Sequence, residues 1–441
     1  MIISITPQTQ PQIKNPVLAD YAAMYLRIYD RFMDQVRASG IGIDPDDHSG
    51  WVDEKRRQLV NKGAVVRNND YSIYINAISP ACVACRKGVG SATFYVSLRC
   101  HRDCYYCFNP NQVDYDASTA NERDLVAELD EIRAHGQQIK YLALTGGEPL
   151  LHKDQAVAFF SHASEQFPDT HKRLYTTGDQ LNEAMLREFQ AAQLEEIRFS
   201  IRMHDSDKAR RHTMERIALA KQYIPAVMVE MPILPGTLAE MQSILLELDQ
   251  IGIFGINLLE FCYPMNNAAA FNARGFQVKR RPFETLYSYW YAGGVPISGS
   301  EQVCLELVDF AIEQRLALGV HYCSLENKFT GQNYQQNAGT KLPKTALLSP
   351  KDFMLKSAKV FGEDIPAVRR VFEKKNYRDF EIDPQRGYLE FHVNQISALK
   401  KLDVEIGIST STLEQRAGGL VERELKVDLT TPQTFKLSDV S

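Results

Sequence analysis

Cys100-His101-Arg102-Asp103-Cys104-Tyr105-Tyr106-Cys107 places three thiols at spacings of four and three on one short loop. Three soft ligands are one fewer than a closed tetrahedral site needs, whereas an iron–sulfur cube held by three cysteines keeps one iron open to a small molecule. The chain has 8 cysteines in 441 residues. At that density such a triplet arises by chance in roughly a few per thousand chains. A zinc knuckle is the other reading of the thiols. It needs a fourth ligand, and the adjacent His101 belongs to the same tight loop.

Outward from the loop, the sequence alternates between two periods. Phe94-Tyr-Val-Ser-Leu-Arg-Cys100 reads as a strand that ends at the thiols. Helical spacing follows at 121–132, 153–165, 181–190 and 207–221, and strand-like runs at 141–144, 174–177, 197–201, 226–229 and 256–261. Thr237 and Glu240 have the spacing of a capping box and open a helix to Leu248. Six strands joined by helical crossovers predict an α/β fold with a parallel sheet. Curled into a partial TIM barrel, (β/α)6, that sheet gathers the loops after each strand at one mouth, where such barrels do chemistry. A doubly wound open sheet has the same periodicity and is the alternative.

Residues 1–80 read as an N-terminal cap of mixed structure. It has an amphipathic helix at 17–37, a Gly/Asp/Pro-rich loop at 40–50 and a hairpin over 65–75. Residues 81–330 form the barrel region, with a CxxC pair upstream and an extension downstream. A polar linker at 331–344 leads to a small α+β domain, 345–441, with a helix start at Ser349-Pro350, a helix at 364–374 and strand-like runs at 388–393, 404–408 and 421–429. Apolar residues at 44%, charged residues at 24% and a net charge of −5 are ordinary for a soluble protein and argue against a broad nucleic-acid surface. No basic start with a long apolar stretch begins the chain, and no run of 18 apolar residues occurs. Motif-clustered cysteines in such a chain point to metal ligation in the reducing cytoplasm, away from any membrane.

The thiol spacing, with Tyr106 just before the last cysteine, resembles the cluster motif of the radical S-adenosylmethionine (SAM) enzymes. The likeness covers about residues 92–265. After the second strand, Leu144-Thr-Gly-Gly-Glu-Pro149 resembles the family's GGE motif. There a glycine pair allows close backbone approach, and a carboxylate can accept from the methionine ammonium. The resemblance assigns Gly146, Gly147 and Glu148 to the SAM amino group. Ser200 and Arg202, at the end of the fourth strand, take the place of residues that contact ribose and carboxylate in family members. Tyr175-Thr-Thr-Gly178, Met231-Pro-Ile-Leu-Pro-Gly236 and Leu258-Leu-Glu-Phe261 resemble the third, fifth and sixth strand ends. The family's mechanism then implies a [4Fe–4S] cluster on Cys100, Cys104 and Cys107, reductive cleavage of SAM to a 5′-deoxyadenosyl radical, and hydrogen abstraction from a substrate. It also implies an electron donor such as flavodoxin or ferredoxin.

A second set of thiols lies outside that loop. Cys82-Val-Ala-Cys85 precedes the first strand, and Cys262, Cys304 and Cys323 follow the sixth. The expectation is an auxiliary iron–sulfur cluster, a possible second [4Fe–4S], on Cys82, Cys85, Cys323 and Cys304. Zinc on the same thiols, or inert buried cysteines, are the alternatives. The spacing matches neither the seven-cysteine nor the shortened auxiliary pattern of radical SAM peptide maturases. A peptide or protein is the expected substrate. A small metabolite is the alternative within the class, and a non-catalytic metal-binding scaffold the alternative outside it.

Overall fold

The computed structural model describes residues 1–289 and 294–441. The chain divides into two compact units: Ser39–Pro282 with a stretch ending at Phe329, and Met1–Ala38 with a short segment from Phe283 and Thr330–Ser441.

Seven parallel strands organise the larger unit. In chain order they are Ser91–Tyr95, Tyr141–Thr145, His171–Thr176, Glu196–Phe199, Ala226–Ile233, Gly255–Glu260 and Gly319–Cys323. Each pairs with the one before it, so the spatial order follows the chain order. A doubly wound sheet reverses direction midway and puts helices on both faces; a right-handed crossover repeated in one direction puts them all on one. The residues confirm one covered face. Phe94, Leu144, Leu174, Ile197 and Val227 lie in register, as do Phe199, Val229, Ile256 and Val320, and all are buried. They form one core with Leu129, Phe159, Leu186, Ile217, Leu245 and Val308 of the crossover helices. Each such fully buried side chain contributes about 1.5–3 kcal/mol. The hairpin Val65–Arg67/Ser72–Ile75 adds antiparallel to the seventh strand. No pairing among the described residues joins it to the first strand, so the sheet is open, as in a partial barrel.

The other face is polar. Tyr175, Arg198, Glu230, Asn257 and His321 stand side by side on it across five strands. Arg198 is buried and pairs with Glu196 and Glu230. Its Nη2 also donates to Ser79 Oγ at 3.0 Å. Burial pushes the Glu196 carboxyl up, but Arg198, His171 and Ser79 outweigh it and hold the group at about 2. The folded pKa is therefore below the unfolded one. The stability from this group is present above about pH 4.5 and is lost as pH falls toward 2, at about 1.4 kcal/mol per unit. Urea midpoints measured between pH 5 and pH 3 should fall accordingly, and Glu196→Gln should flatten that slope. An unchanged slope in the variant would show that other carboxylates carry the acid sensitivity.

The smaller unit is a six-stranded antiparallel sheet. Its longest hairpin is Ile406–Arg416/Gly419–Thr430. The helix Pro16–Ala38 packs Leu18, Tyr21 and Ala22 against Phe361, Tyr388 and Val427 of this sheet. Ile3 makes a bridge to Leu429.

Several expectations are corrected here. The stretch 1–80 is not one cap: its first helix belongs with the C-terminal sheet and its hairpin extends the parallel sheet. The parallel sheet has a seventh strand beyond the six expected. The polar stretch 331–344 contains most of a helix, Thr330–Asn337, whose Asn337 carboxamide donates to Phe353 O and accepts from Leu413 N. Ser349-Pro350 opens a turn, not a helix. The helix expected from 121 begins at Leu125, because Asp124 caps it by accepting from Ala127 N. Thr237 makes no capping bond; its hydroxyl donates back to Leu234 O.

Candidate active site at the strand ends

The chain leaves the first strand at Tyr95 and runs through Ser97–Arg99 to the thiol loop. The loop after the second strand fastens this lead-in. Gly147 N donates to Ser97 O at 3.2 Å and Glu148 N to Arg99 O at 2.8 Å. Gly146 has φ +111°, and a Cβ there would lie 2.5 Å from Tyr95 Cβ. A Cβ on Gly147 would lie 2.0 Å from Arg99 O. The glycine pair is thus demanded by the protein's own backbone, which brings the second strand end against the approach to Cys100.

Glu148 is 2% exposed. Its carboxylate accepts from Leu150 N at 3.0 Å, Thr176 Oγ1 at 2.7 Å and Thr177 N at 2.7 Å. It ties the second strand end to the third. Three of roughly four acceptor directions are taken, leaving one for another donor.

Cys107 N donates to Cys104 O at 2.9 Å, which folds the loop tightly enough to gather its sulfurs. Cys100 is exposed, and Cys104 and Cys107 are half-buried. Burial pushes the Cys104 thiol up to about 11, with Cys107 and Cys100 adding and Arg202 opposing. Tyr106 is wedged edge-on against His204 and Phe261, with centroids at 5.5 and 5.6 Å. Tyr105 packs on Phe271 at 5.4 Å beneath the Arg274 guanidinium.

Asp179, in the turn after the third strand, is a residue the sequence reading missed. It accepts from Arg102 Nε at 2.7 Å, pairs with His101 Nε2 at 2.6 Å, and lies 3.8 Å from Arg202 Nη2. Burial pushes its carboxyl up, but Arg102 and His101 hold it well below the usual range. The first cysteine loop is thereby pinned to the third strand end. Asp179→Ala should cost about 1.5–3 kcal/mol, the range for hydrogen bonds to charged groups. It should also lower the iron taken up on anaerobic reconstitution. Parent-like urea stability together with parent-like iron content would show the pin to be dispensable.

Arg202 is 3% exposed, and its Nε donates to Asp205 at 3.0 Å. Its Nη2 is buried without a hydrogen bond. A buried guanidinium N–H beside Cys100 and Cys104 fits an anionic group at the thiols. Ser200 Oγ donates to Glu230 O at 3.3 Å, so its hydroxyl already has a backbone partner. Glu260 faces the helix layer, where it accepts from Leu325 N at 2.8 Å and pairs with Lys279. It caps a loop.

The second cysteine set is divided. Cys82 and Cys85 lie on the short helix Pro80–Cys85, near Cys323. Cys304 is fully buried in the helix Ser300–Glu313, in the core beside Tyr322. Neighbouring strand residues point to opposite faces, so Tyr322, packed into the helix layer, places Cys323 on the other side. Cys304 therefore does not join the expected four-thiol set. Among the described residues, no three His, Cys, Asp or Glu side chains converge as a single metal ion requires. With His101 bonded to Asp179, the loop offers three thiols and no fourth ligand of its own, which suits a cube with one open iron better than a closed zinc knuckle.

Known proteins resemble parts of this chain. The family model of the radical SAM superfamily matches residues 94–248. A protein of Methanocaldococcus jannaschii, provisionally named a glycyl-radical enzyme activating enzyme, is 26% identical over 317 residues, or 68% of this chain and 79% of that protein. Among solved structures, SuiB of Streptococcus suis bound to S-adenosylmethionine shares 10% identity over 58% of this chain, with a TM-score of 0.39. BtrN in complex with AdoMet and 2-DOIA shares 21% identity over 32% of this chain, with a TM-score of 0.26. The chain covers 52% and 56% of those two structures, about half of each. Residues 94–248 carry the three-thiol loop, the Gly-Gly-Glu turn and Arg202, and with them this chain has a radical SAM domain, the domain of enzymes that use a [4Fe–4S] cluster and S-adenosylmethionine.

Proposed function

We propose that the enzyme abstracts a hydrogen atom from a peptide or protein substrate. In this reading Cys100, Cys104 and Cys107 hold the [4Fe–4S] cluster. Gly146, Gly147 and Glu148 face the amino group of SAM, while Ser200 and Arg202 face its ribose and carboxylate. When bound, the cofactors supply a 5′-deoxyadenosyl radical. The chain's own residues do the positioning. Asp179 holds the thiol loop through His101 and Arg102, Glu148 fixes the second and third strand ends, and the buried Arg202 N–H offers charge to an anion. A flavodoxin or ferredoxin would deliver the electron, in a reducing cytoplasm. No described helix is long and apolar enough to cross a membrane.

The observation that carries the substrate class is the relative named for glycyl-radical enzyme activation, matched over 79% of its length. A protein substrate gives a simple test. Reconstituted enzyme with dithionite and SAM is supplied with extract of its own source cells, untreated or digested with protease. Stimulated 5′-deoxyadenosine release that disappears on digestion is expected. Stimulation that survives digestion and passes a small-molecule filter would instead establish a metabolite as the substrate.

A further inference from the structure

We propose that Cys82, Cys85 and Cys323 hold a second iron–sulfur cluster on the polar face of the parallel sheet, with one iron left without a protein thiolate. The sheet is open between its first strand and the edge hairpin, and the CxxC helix Pro80–Cys85 is fastened to both sides of that opening. It packs on the first strand, and Arg67 of the hairpin donates to Cys82 O and Val83 O at 3.5 and 3.2 Å. Its N-terminus is fixed by Ser79, whose Oγ accepts from Ala81 N.

This anchoring aims Cys82 at the polar face. Its Sγ accepts from Asn257 Nδ2 at 3.3 Å and from Arg198 Nη2 at 3.5 Å, residues of the sixth and fourth strands. Cys85 follows at i+3, on the same side of the helix. Cys323 follows His321 by two residues and so shares its face; His321 Nδ1 lies 2.9 Å from Asn257 Oδ1. Cys323 Sγ accepts from Asn327 Nδ2 at 3.1 Å. Burial first, and then the neighbouring thiols, push the Cys85 and Cys323 thiols up.

One observation points to a ligand. Three N–H donors, one of them a buried guanidinium, aim at two of these sulfurs. Such donors suit thiolates that ligate iron and tune the cluster they hold. The remaining cysteines stand apart: Cys304 is buried in the core on the helix side of the sheet, and Cys262 lies beyond the sheet, on the short strand Cys262–Tyr263 that pairs with Val295–Pro296. Three thiolates leave one iron to take an oxygen, nitrogen or sulfur atom of a bound molecule.

The test uses the full chain with Cys100, Cys104 and Cys107 all replaced by alanine, so that its outcome is independent of SAM cleavage. After anaerobic reconstitution this protein should keep about four irons with matching sulfide, as for one cube. Adding Cys82→Ala, Cys85→Ala or Cys323→Ala should remove them, while Cys304→Ala and Cys262→Ala should not. Serine variants at the same three positions, checked by circular dichroism, separate loss of ligation from loss of fold. Brief ferricyanide oxidation of the triple variant should give the electron-spin signal of a [3Fe–4S] cluster, from loss of the thiolate-free iron. Bound zinc in place of iron, no metal at all, iron that survives without Cys82 and Cys323, or iron lost with Cys304 or Cys262 would each overturn the assignment. Absence of the oxidised signal would overturn the open iron.

Discussion

Replacing Cys100, Cys104 and Cys107 by alanine is expected to abolish 5′-deoxyadenosine formation from SAM while leaving the fold in place. The two halves of that result have separate causes. The thiols sit on a loop that is half-buried at most. Such positions seldom cost more than about 0.5 kcal/mol each on truncation. What holds the loop is other chemistry: the Asp179 pairs with His101 and Arg102, the Tyr106 packing on Phe261, and the backbone bonds of Gly147 and Glu148. These all survive the substitution. The chemical consequence is total, because without thiolates nothing in the chain holds the cluster. Urea unfolding and far-ultraviolet circular dichroism should therefore match the parent, and high-performance liquid chromatography should find no 5′-deoxyadenosine. Cleavage at the parent rate in the triple variant would refute the ligand assignment outright.

The parts of this site that rest on local spacing were legible in the sequence. The thiol loop announces itself at spacings of four and three, and the alternation of strand and helix periods around it predicts a parallel sheet. Non-local partners were not legible. Asp179 reads as an ordinary acid in a turn, and only the fold brings His101 and Arg102 to it. Arg198, Glu196 and Glu230 interrupt apolar strands at positions that look like exposed residues, yet together they form a buried polar layer. The helix Pro16–Ala38 is clear from its periodicity, but nothing in that period says its apolar face meets a sheet more than three hundred residues away. The separation of Cys304 from Cys323 did leave a signal. Val320 and Tyr322 alternate with His321 and Cys323, and Cys304 stands in an apolar helical run with Val303, Leu305, Leu307 and Val308. Period-two reading puts Cys323 on the polar face, and helical reading puts Cys304 in the core.

Gly147→Ala is expected to do more damage than its single added methyl suggests. The new Cβ would fall 2.0 Å from Arg99 O and 2.6 Å from Leu98 C. Those are backbone atoms, which cannot rotate away as a side chain could. Either the turn after the second strand or the segment leading to Cys100 has to move. If the turn moves, Gly147 N and Glu148 N leave Ser97 O and Arg99 O, and the Glu148 carboxylate is drawn off Thr176 and Thr177. If the lead-in moves, the first cysteine shifts against Cys104 and Cys107. Overpacking of this kind costs about 1–3 kcal/mol, occasionally more. Two backbone bonds and a buried carboxylate are at stake besides. The urea midpoint should fall by that amount, and reconstituted iron should fall with it. Glu148→Gln supplies the contrast. It keeps the shape of the side chain and an acceptor oxygen for Thr176, while the second backbone-facing oxygen becomes an NH2 that opposes Thr177 N. Its expected pattern is weaker SAM binding, with iron content closer to the parent than in Gly147→Ala. Should Gly147→Ala bind iron and SAM as the parent does, at unchanged stability, the close docking of the two strand ends would have no part in building the site.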